Sequence, residues 1–293
     1  MNPLACSLLI SILAVRSGAY SHTEHASGKP TLSALSKYGG QVLSRNGGVE
    51  MVPVAEGWFP MGEDSWPDNK RHQVYLSTYW ISVTPVTVGQ FRTFCEKAPY
   101  AYDWAKNKPK WGWVNDHPMV NVSWKQCSDF CKWAGGALPT EAQWEKAARG
   151  PNAYTWPWGN RWDGTRLQWS EGGVYSGAGG TASVYAHTSG VSPYGCLEMA
   201  GNIWQRCSDW YAPDLASENL PDHDPMGPPL GKLHVCRGGS WVNINTPNFW
   251  TYYRNGGPIE EASDGFGFRL MIPQETSKAD SLPQRKVPPP VEK

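Results

Sequence analysis

Three helix starts, all before residue 150, set the character of this chain. Thr87-Val-Gly-Gln90, Ser123-Trp-Lys-Gln126 and Thr140-Glu-Ala-Gln143 each place a hydroxyl ahead of an apolar stripe, with glutamine three positions on. In that arrangement the hydroxyl accepts the N3 amide while the glutamine returns to the N-cap amide, so two orphan donors are satisfied together. The spacing predicts helices over 88–97, 124–134 and 141–149, the last two closed by Gly135-Gly136 and Gly150. From Gly150 to Pro273 nothing repeats the pattern, and the chain turns Gly-, Trp- and Pro-rich with short strand-like pieces at Lys232–Arg237 and Gly267–Ile272. Upstream, Val52–Gly62 and Gln73–Val83 alternate and read as two paired strands. A few early helices followed by a long irregular half predict a single α+β domain with little regular secondary structure. Loops of that length need a bound ion or a disulfide in addition to a core.

Composition supports this reading and excludes two function classes. With 26 basic and 26 acidic side chains the net charge is zero, whereas a nucleic-acid binder needs a concentrated basic surface. The 17 tryptophans, 31 glycines and 25 prolines indicate indole rings filling space between loops. No apolar run is long enough to span a bilayer. Residues 1–19 contain a short apolar run (Pro3–Val15) before Ser17-Gly18-Ala19 and read as a signal peptide, predicting a secreted or periplasmic protein. Residues 20–48 read as a Ser/His/Gly-rich linker, 49–273 as the folded domain, and 274–293 as a Pro-rich tail expected to be disordered.

The usual chemical signatures are missing. Cys6 falls in the leader, and Cys95, Cys127, Cys131, Cys196, Cys207 and Cys236 form an even set compatible either with disulfides or with buried thiols. None has CxxC spacing, the histidines show no HxxxH or HExxH pairing, and there is neither a GxSxG elbow nor a phosphate loop. Asp222-His223-Asp224 reads as a solvated acidic loop. Arg269, on an apolar segment, is expected to meet a buried carboxylate or a cluster of carbonyls.

Seven strings then occur in order: Val52–Gly62, Val120–Trp124, Trp133–Glu145, Trp156-Pro-Trp-Gly159, Gly201-Asn-Ile-Trp204, Arg237-Gly-Gly-Ser-Trp241 and Gly265-Phe-Gly-Phe-Arg269. Together they resemble the formylglycine-generating enzyme (sulfatase-modifying factor) domain over essentially all of Val49–Pro273. The resemblance implies a C-type-lectin-like kernel and calcium as a structural ion. The family's calcium ligands, carried over to this chain, are the Glu198 side chain, the Gly201 and Ile203 carbonyls, and Gln205, where an amide replaces the family's glutamate. The family's second calcium site is expected to be lost, because its loop offers Gln168 and Tyr175–Pro193 contains no acid. Oxidase members bind copper(I) through two cysteines five residues apart, and those positions here are Asn243 and Asn248. Copper(I) demands soft thiolate donors, so copper is not expected and cysteine oxidation should be absent.

The reading that follows is a monomeric binding module for a peptide, protein or small-molecule ligand. Its candidate ligand-binding residues are Trp204, Ser240, Trp241, Asn243, Asn248, Tyr252 and Arg254, within a segment dense in Asn, Trp and Tyr. An alternative is a divergent enzyme resembling the family's periplasmic members that act in siderophore maturation, with Ser240, Asn243, Arg254 and Glu260 or Glu261 as its polar groups. Retained copper-dependent oxidase activity ranks last, and no catalytic residue is assigned.

Overall fold

A computed structural model describes residues 47–170, 179–218, 220–260 and 262–274, with Ala216 and Ser217 described by their backbone alone. The expected leader, most of the linker, nearly all of the tail and Glu261 lie outside the described residues. All three helices form where their N-terminal boxes place them: α1 (Val88–Lys97), α2 (Trp124–Trp133) and α3 (Glu141–Arg149). In each, the N-cap hydroxyl and the N3 glutamine make both reciprocal bonds. Gly150, at φ 65°, terminates α3.

Each of the two alternating segments divides into two strands. β1 (Met51–Val54) and β2 (Gly57–Met61) are separated at Ala55-Glu56, and β3 (His72–Leu76) and β4 (Tyr79–Ser82) at Ser77-Thr78. Gly57 sits at φ 133°, a region open to glycine but not to a β-branched residue, and the chain swings there from one sheet to another. β2 pairs antiparallel with β3 as a two-stranded ribbon, while β1, β4 and β9 (Met271–Pro273) form an antiparallel sheet of order β1-β4-β9. The expected strand at 267–272 is likewise split between β8 (Phe266–Phe268) and β9. β6 (Leu233–Arg237) lies where sequence placed a strand and pairs with β5 (Trp204–Trp210) and β7 (Asn255–Pro258). β8 closes this second sheet, order β7-β6-β5-β8, by parallel pairing with β5. The result is an α+β fold with few helices and short strands.

Two apolar cores flank the β1-β4-β9 sheet. One joins Val54, Phe59, Val74 and Ile81 to Trp144 and Ala148 of α3, and the other joins Phe91 of α1, Phe130 of α2 and Phe268. A third, smaller cluster seats Leu167, Ala200 and Phe249 among Trp156, Trp158, Trp162 and Trp169. Tryptophan therefore does fill the space between loops in the irregular half.

The cores are crossed by a buried ionic network that holds α3 to the second sheet. Arg237 of β6 donates to Glu141 (3.0 Å) and Glu145 (2.5 Å). Arg254 grips both oxygens of Glu141, at 2.7 and 2.9 Å. Arg149 reaches Glu145 at 2.8 Å, one helical turn away. Burial alone would raise the Glu145 carboxyl, but Arg237 and Arg149 outweigh it and hold the group below its ordinary value. Arg269 meets a carbonyl cluster, donating to Ser82 O and Leu197 O at 2.7 and 2.8 Å and to Gln205 Oε1 at 2.5 Å. The cysteines of the described residues are thiols, so the disulfide option is not taken up. Cores and arginine networks hold the loops instead.

Candidate functional site

The segment from Gly238 to Arg254 leaves β6 and returns to β7, and its anchors decide which side chains reach solvent. Gly239, at φ 73°, lies so near Phe249 that a Cβ there would sit 2.5 Å from the ring. Only glycine allows this approach, which presses the loop onto the tryptophan-rich third cluster. Ser240 is fully buried, and its N–H and hydroxyl both donate to Asn243 Oδ1, at 2.8 and 3.1 Å. The Asn243 side chain thus caps its own turn. Trp241 donates from its indole to Asp264 O and meets Trp111 edge-on at 5.3 Å. Ser170 N–H donates to Asn243 O, and Trp241 N–H to Asn202 O.

These anchors sort the seven candidate ligand residues. Trp241, Asn243 and Asn248 are partly exposed. Trp204, Ser240, Tyr252 and Arg254 are buried, at 5%, 0%, 5% and 3% exposure. Tyr252 packs beside Trp250 and under the Arg149 guanidinium, and its carbonyl receives Asn69. Arg254 spends its guanidinium on Glu141 and on the Asp68 and Ala212 carbonyls. Tyr252 and Arg254 thus make interior contacts in this structure, where Trp204 and Ser240 are buried as well. Arg254 lies 113 residues from Glu141 in sequence, so the pairing exists only once the fold brings α3 beside the end of this loop. The exposed character of the face comes instead from Val242 (36%) and Ile244 (50%), with Asn245 between the loop's turns. Val242 and Ile244 alternate with polar neighbours in a loop, and that was the available signal for an outward apolar edge. Glu260 is exposed and lies outside this loop.

Beneath the loop runs the segment 198–205. Glu198 (φ 56°) and Asn202 (φ 64°) hold left-handed conformations costly for non-glycine residues. Asn202 is locked by a reciprocal pair of bonds to Ala182. Both Glu198 carboxylate oxygens are buried and receive no hydrogen bond among the described residues, and His187 Nδ1 lies 3.5 Å from one of them. A buried carboxylate without donors calls for a cation. Gln205, however, is turned away from that role. Its Oε1 accepts from Trp144 (2.9 Å) and Arg269 (2.5 Å), and its amide donates to the Glu198 carbonyl. Among the described residues no three His, Cys, Asp or Glu side chains converge on a point. The residues present fit an ion held by Glu198 and main-chain carbonyls such as those of Gly201 and Ile203. They do not fit one held through Gln205. Gln168 donates to Gly180 O and ties down its loop.

Five of the thiols are suppressed as thiolates by burial. Burial pushes Cys127 up to about 12 and raises Cys196, Cys207 and Cys131, and it raises the half-buried Cys95 as well. None of these five is poised as a thiolate.

Residues 42–273 match the sulfatase-modifying factor enzyme 1-like domain. The formylglycine-generating enzyme of Thermomonospora curvata is 38% identical over 141 residues, 43% of this chain and 45% of that protein. The protein called inactive C-alpha-formylglycine-generating enzyme 2 of Bos taurus is 27% identical over 304 residues, 82% of this chain and 94% of its own length. The chain spans about half the length of the formylglycine-generating enzymes of Thermomonospora curvata and Streptomyces coelicolor that it matches. Among solved structures, PvdO from Pseudomonas aeruginosa superposes with a TM-score of 0.66 at 21% identity, covering 79% of this chain and 97% of that one. Treponema denticola variable protein 1 superposes with a TM-score of 0.63 at 24% identity, covering 76% and 95%. These two likenesses concern the fold alone. The chain belongs to the sulfatase-modifying factor (formylglycine-generating enzyme) domain family.

Proposed function

We propose that this member of the family is a binding protein rather than a copper-dependent cysteine oxidase. On this reading it carries a C-type-lectin-like kernel whose loop between β6 and β7 receives a peptide, protein or small-molecule ligand. The observation that carries the reading is the loop itself. It presents Trp241, Val242, Asn243, Ile244 and Asn248 at its surface, and residues 238–254 include neither Cys nor Met. Amides and part-exposed aromatic or aliphatic groups supply adaptable hydrogen bonds and apolar contact. The proposal keeps the protein monomeric, and the apolar run Pro3–Val15 supports export to a secreted or periplasmic location. The experiment is to pan a displayed random-peptide library against the full chain, with the Ile244→Asp variant as counter-target. Ile244 is half exposed, so the substitution should change stability by no more than about 0.5 kcal/mol. Peptides retained by the wild type and lost by the variant are expected. Equal retention by both would place recognition elsewhere.

Calcium is proposed as a structural ion at Glu198, supported by the donor-free buried carboxylate and by the left-handed backbone there. Bound there, the ion supplies the positive charge that Glu198 lacks. With Gln205 engaged elsewhere, the site has one charged ligand and should be weak. At millimolar calcium, chelation is expected to lower stability by about 1–3 kcal/mol, a few degrees in Tm for a domain of this size. Glu198→Gln should remove the response. A melting curve indifferent to chelator in the wild type would reject the assignment.

A further inference from the structure

A cavity of about 400 Å³ opens on the side of the β2–β3 ribbon, apart from the β6–β7 loop. Its apolar wall comes from Met61, Val74, Ala142, Leu215, Leu220 and Pro225. That volume lies within the range of small-molecule sites. Two buried carboxyls, those of Glu141 and Asp209, complete the lining at 2% and 4% exposure. They are not equivalent. Glu141 is neutralised by Arg237 and Arg254. Asp209 accepts the Glu141 N–H at 2.9 Å and the Ser208 hydroxyl at 3.0 Å through Oδ2, and among the described residues no cationic side chain pairs with it.

The charges at the mouth do not correct this. Arg71 is tied to Glu63 at 2.6 Å. Lys70, His72 and Asp222 are solvent-exposed, where water and salt screen them. An anionic ligand entering the cavity would meet an unneutralised carboxyl at the buried end. A cation would supply the partner that the fold omits. Oδ2 already accepts two donors, so at most Oδ1, which lies beside Gly227, is left for a ligand, and a single oxygen suits a point donor such as an ammonium better than the two-pronged face of a guanidinium. We propose that this cavity is a second binding site and takes a primary ammonium group on an aliphatic stem, with Asp209 as its counter-ion.

Burial, followed by the repulsion of Glu141, pushes the Asp209 carboxyl up to about 7. Below that pH an entering ammonium has to displace a proton, so affinity should rise from pH 6 to pH 8 and level off above. The test is calorimetric titration of the full chain with n-hexylamine, using 1-hexanol and hexanoate as shape-matched neutral and anionic probes. Hexylamine is expected to bind about tenfold or more tighter than either at pH 8, a difference of about 1.4 kcal/mol. Asp209→Asn keeps an acceptor for the Glu141 N–H and should abolish both the preference and its pH dependence. The isostere and pH comparisons in the wild type stand even if that variant folds poorly. Absence of hexylamine binding at millimolar concentration, equal binding of hexanol, or a preference for hexanoate would overturn the proposal. So would an unchanged preference in a folded Asp209→Asn protein. Because the cavity and the β6–β7 loop share no lining residue, Ile244→Asp should leave hexylamine binding unchanged, which keeps this test separate from that of the proposed function.

Discussion

Replacing Arg237 with alanine is expected to cost about 3–5 kcal/mol of folding free energy, measured by denaturant unfolding, because it breaks a buried pair to each of two carboxylates at once. Arg237 is completely buried and bridges Glu141 and Glu145 while also donating to Thr251 O at 2.6 Å. Without it, Glu141 leans on Arg254 alone and Glu145 on Arg149, the Gly62 amide and Asn69. Each carboxylate would keep one arginine but lose the bridge that links them, and the Thr251 carbonyl would lose its arginine donor. The loss would be a large part of the 5–15 kcal/mol that separates folded from unfolded domains. The exposed pair Lys125–Asp129 provides the contrast. At 74% side-chain exposure for the lysine, breaking it should cost under about 1 kcal/mol. A loss below that level for Arg237→Ala would mean that the network is not what fastens α3 to β6.

The same network explains which parts of this protein can be read from its sequence. The helices are legible because their information is local: a hydroxyl, a glutamine three residues on and an apolar stripe suffice, and all three boxes close as expected. Arg269 is legible for a related reason, since a cation in an apolar run has to find acceptors, and it finds two carbonyls and Gln205. Strand boundaries are less so. In each run the buried apolar positions shift from even numbers (Val52, Val54; Val74, Leu76) to odd ones (Phe59, Met61; Tyr79, Ile81), and reading each run as one strand passes over the phase change that marks where the chain changes sheets. β5 was missed because Trp204–Trp210 is buried almost throughout and shows no alternation.

The site residues divide along the same line. That Asn243 and Asn248 carry no thiol is visible in the sequence itself. That Tyr252 and Arg254 point inward is not, because their partners Arg149 and Glu141 are brought to them by tertiary packing. The cavity below Asp209 has no sequence signature at all, being formed from the β2–β3 ribbon, the start of α3, the end of β5 and the 215–225 segment. A better clue lay in charge placement. Glu141, Glu145 and Arg149 are spaced four apart on one helix face, next to a chain with two further arginines flanking the loop, and such a face predicts a buried ionic cluster rather than solvent.

Gln205 serves the core. An amide there carries no charge, yet its oxygen receives both Trp144 and Arg269. Arg269 is left with neutral acceptors, and burial pulls it down to about 10. The position holds the core together while contributing little to an ion at Glu198.

The account rests most heavily on the absence of soft donors from the loop, and copper(I) tests it directly. The reduced full chain should be titrated with copper(I) against a competing chelator while oxygen uptake is followed with a cysteine-containing peptide. Two amides in place of two thiolates should leave no stoichiometric tight site, so copper(I) is predicted to stay on the competitor, with oxygen consumption no faster than the peptide and metal give alone. One copper(I) retained per chain against the competitor, together with peptide-dependent oxygen uptake, would contradict it.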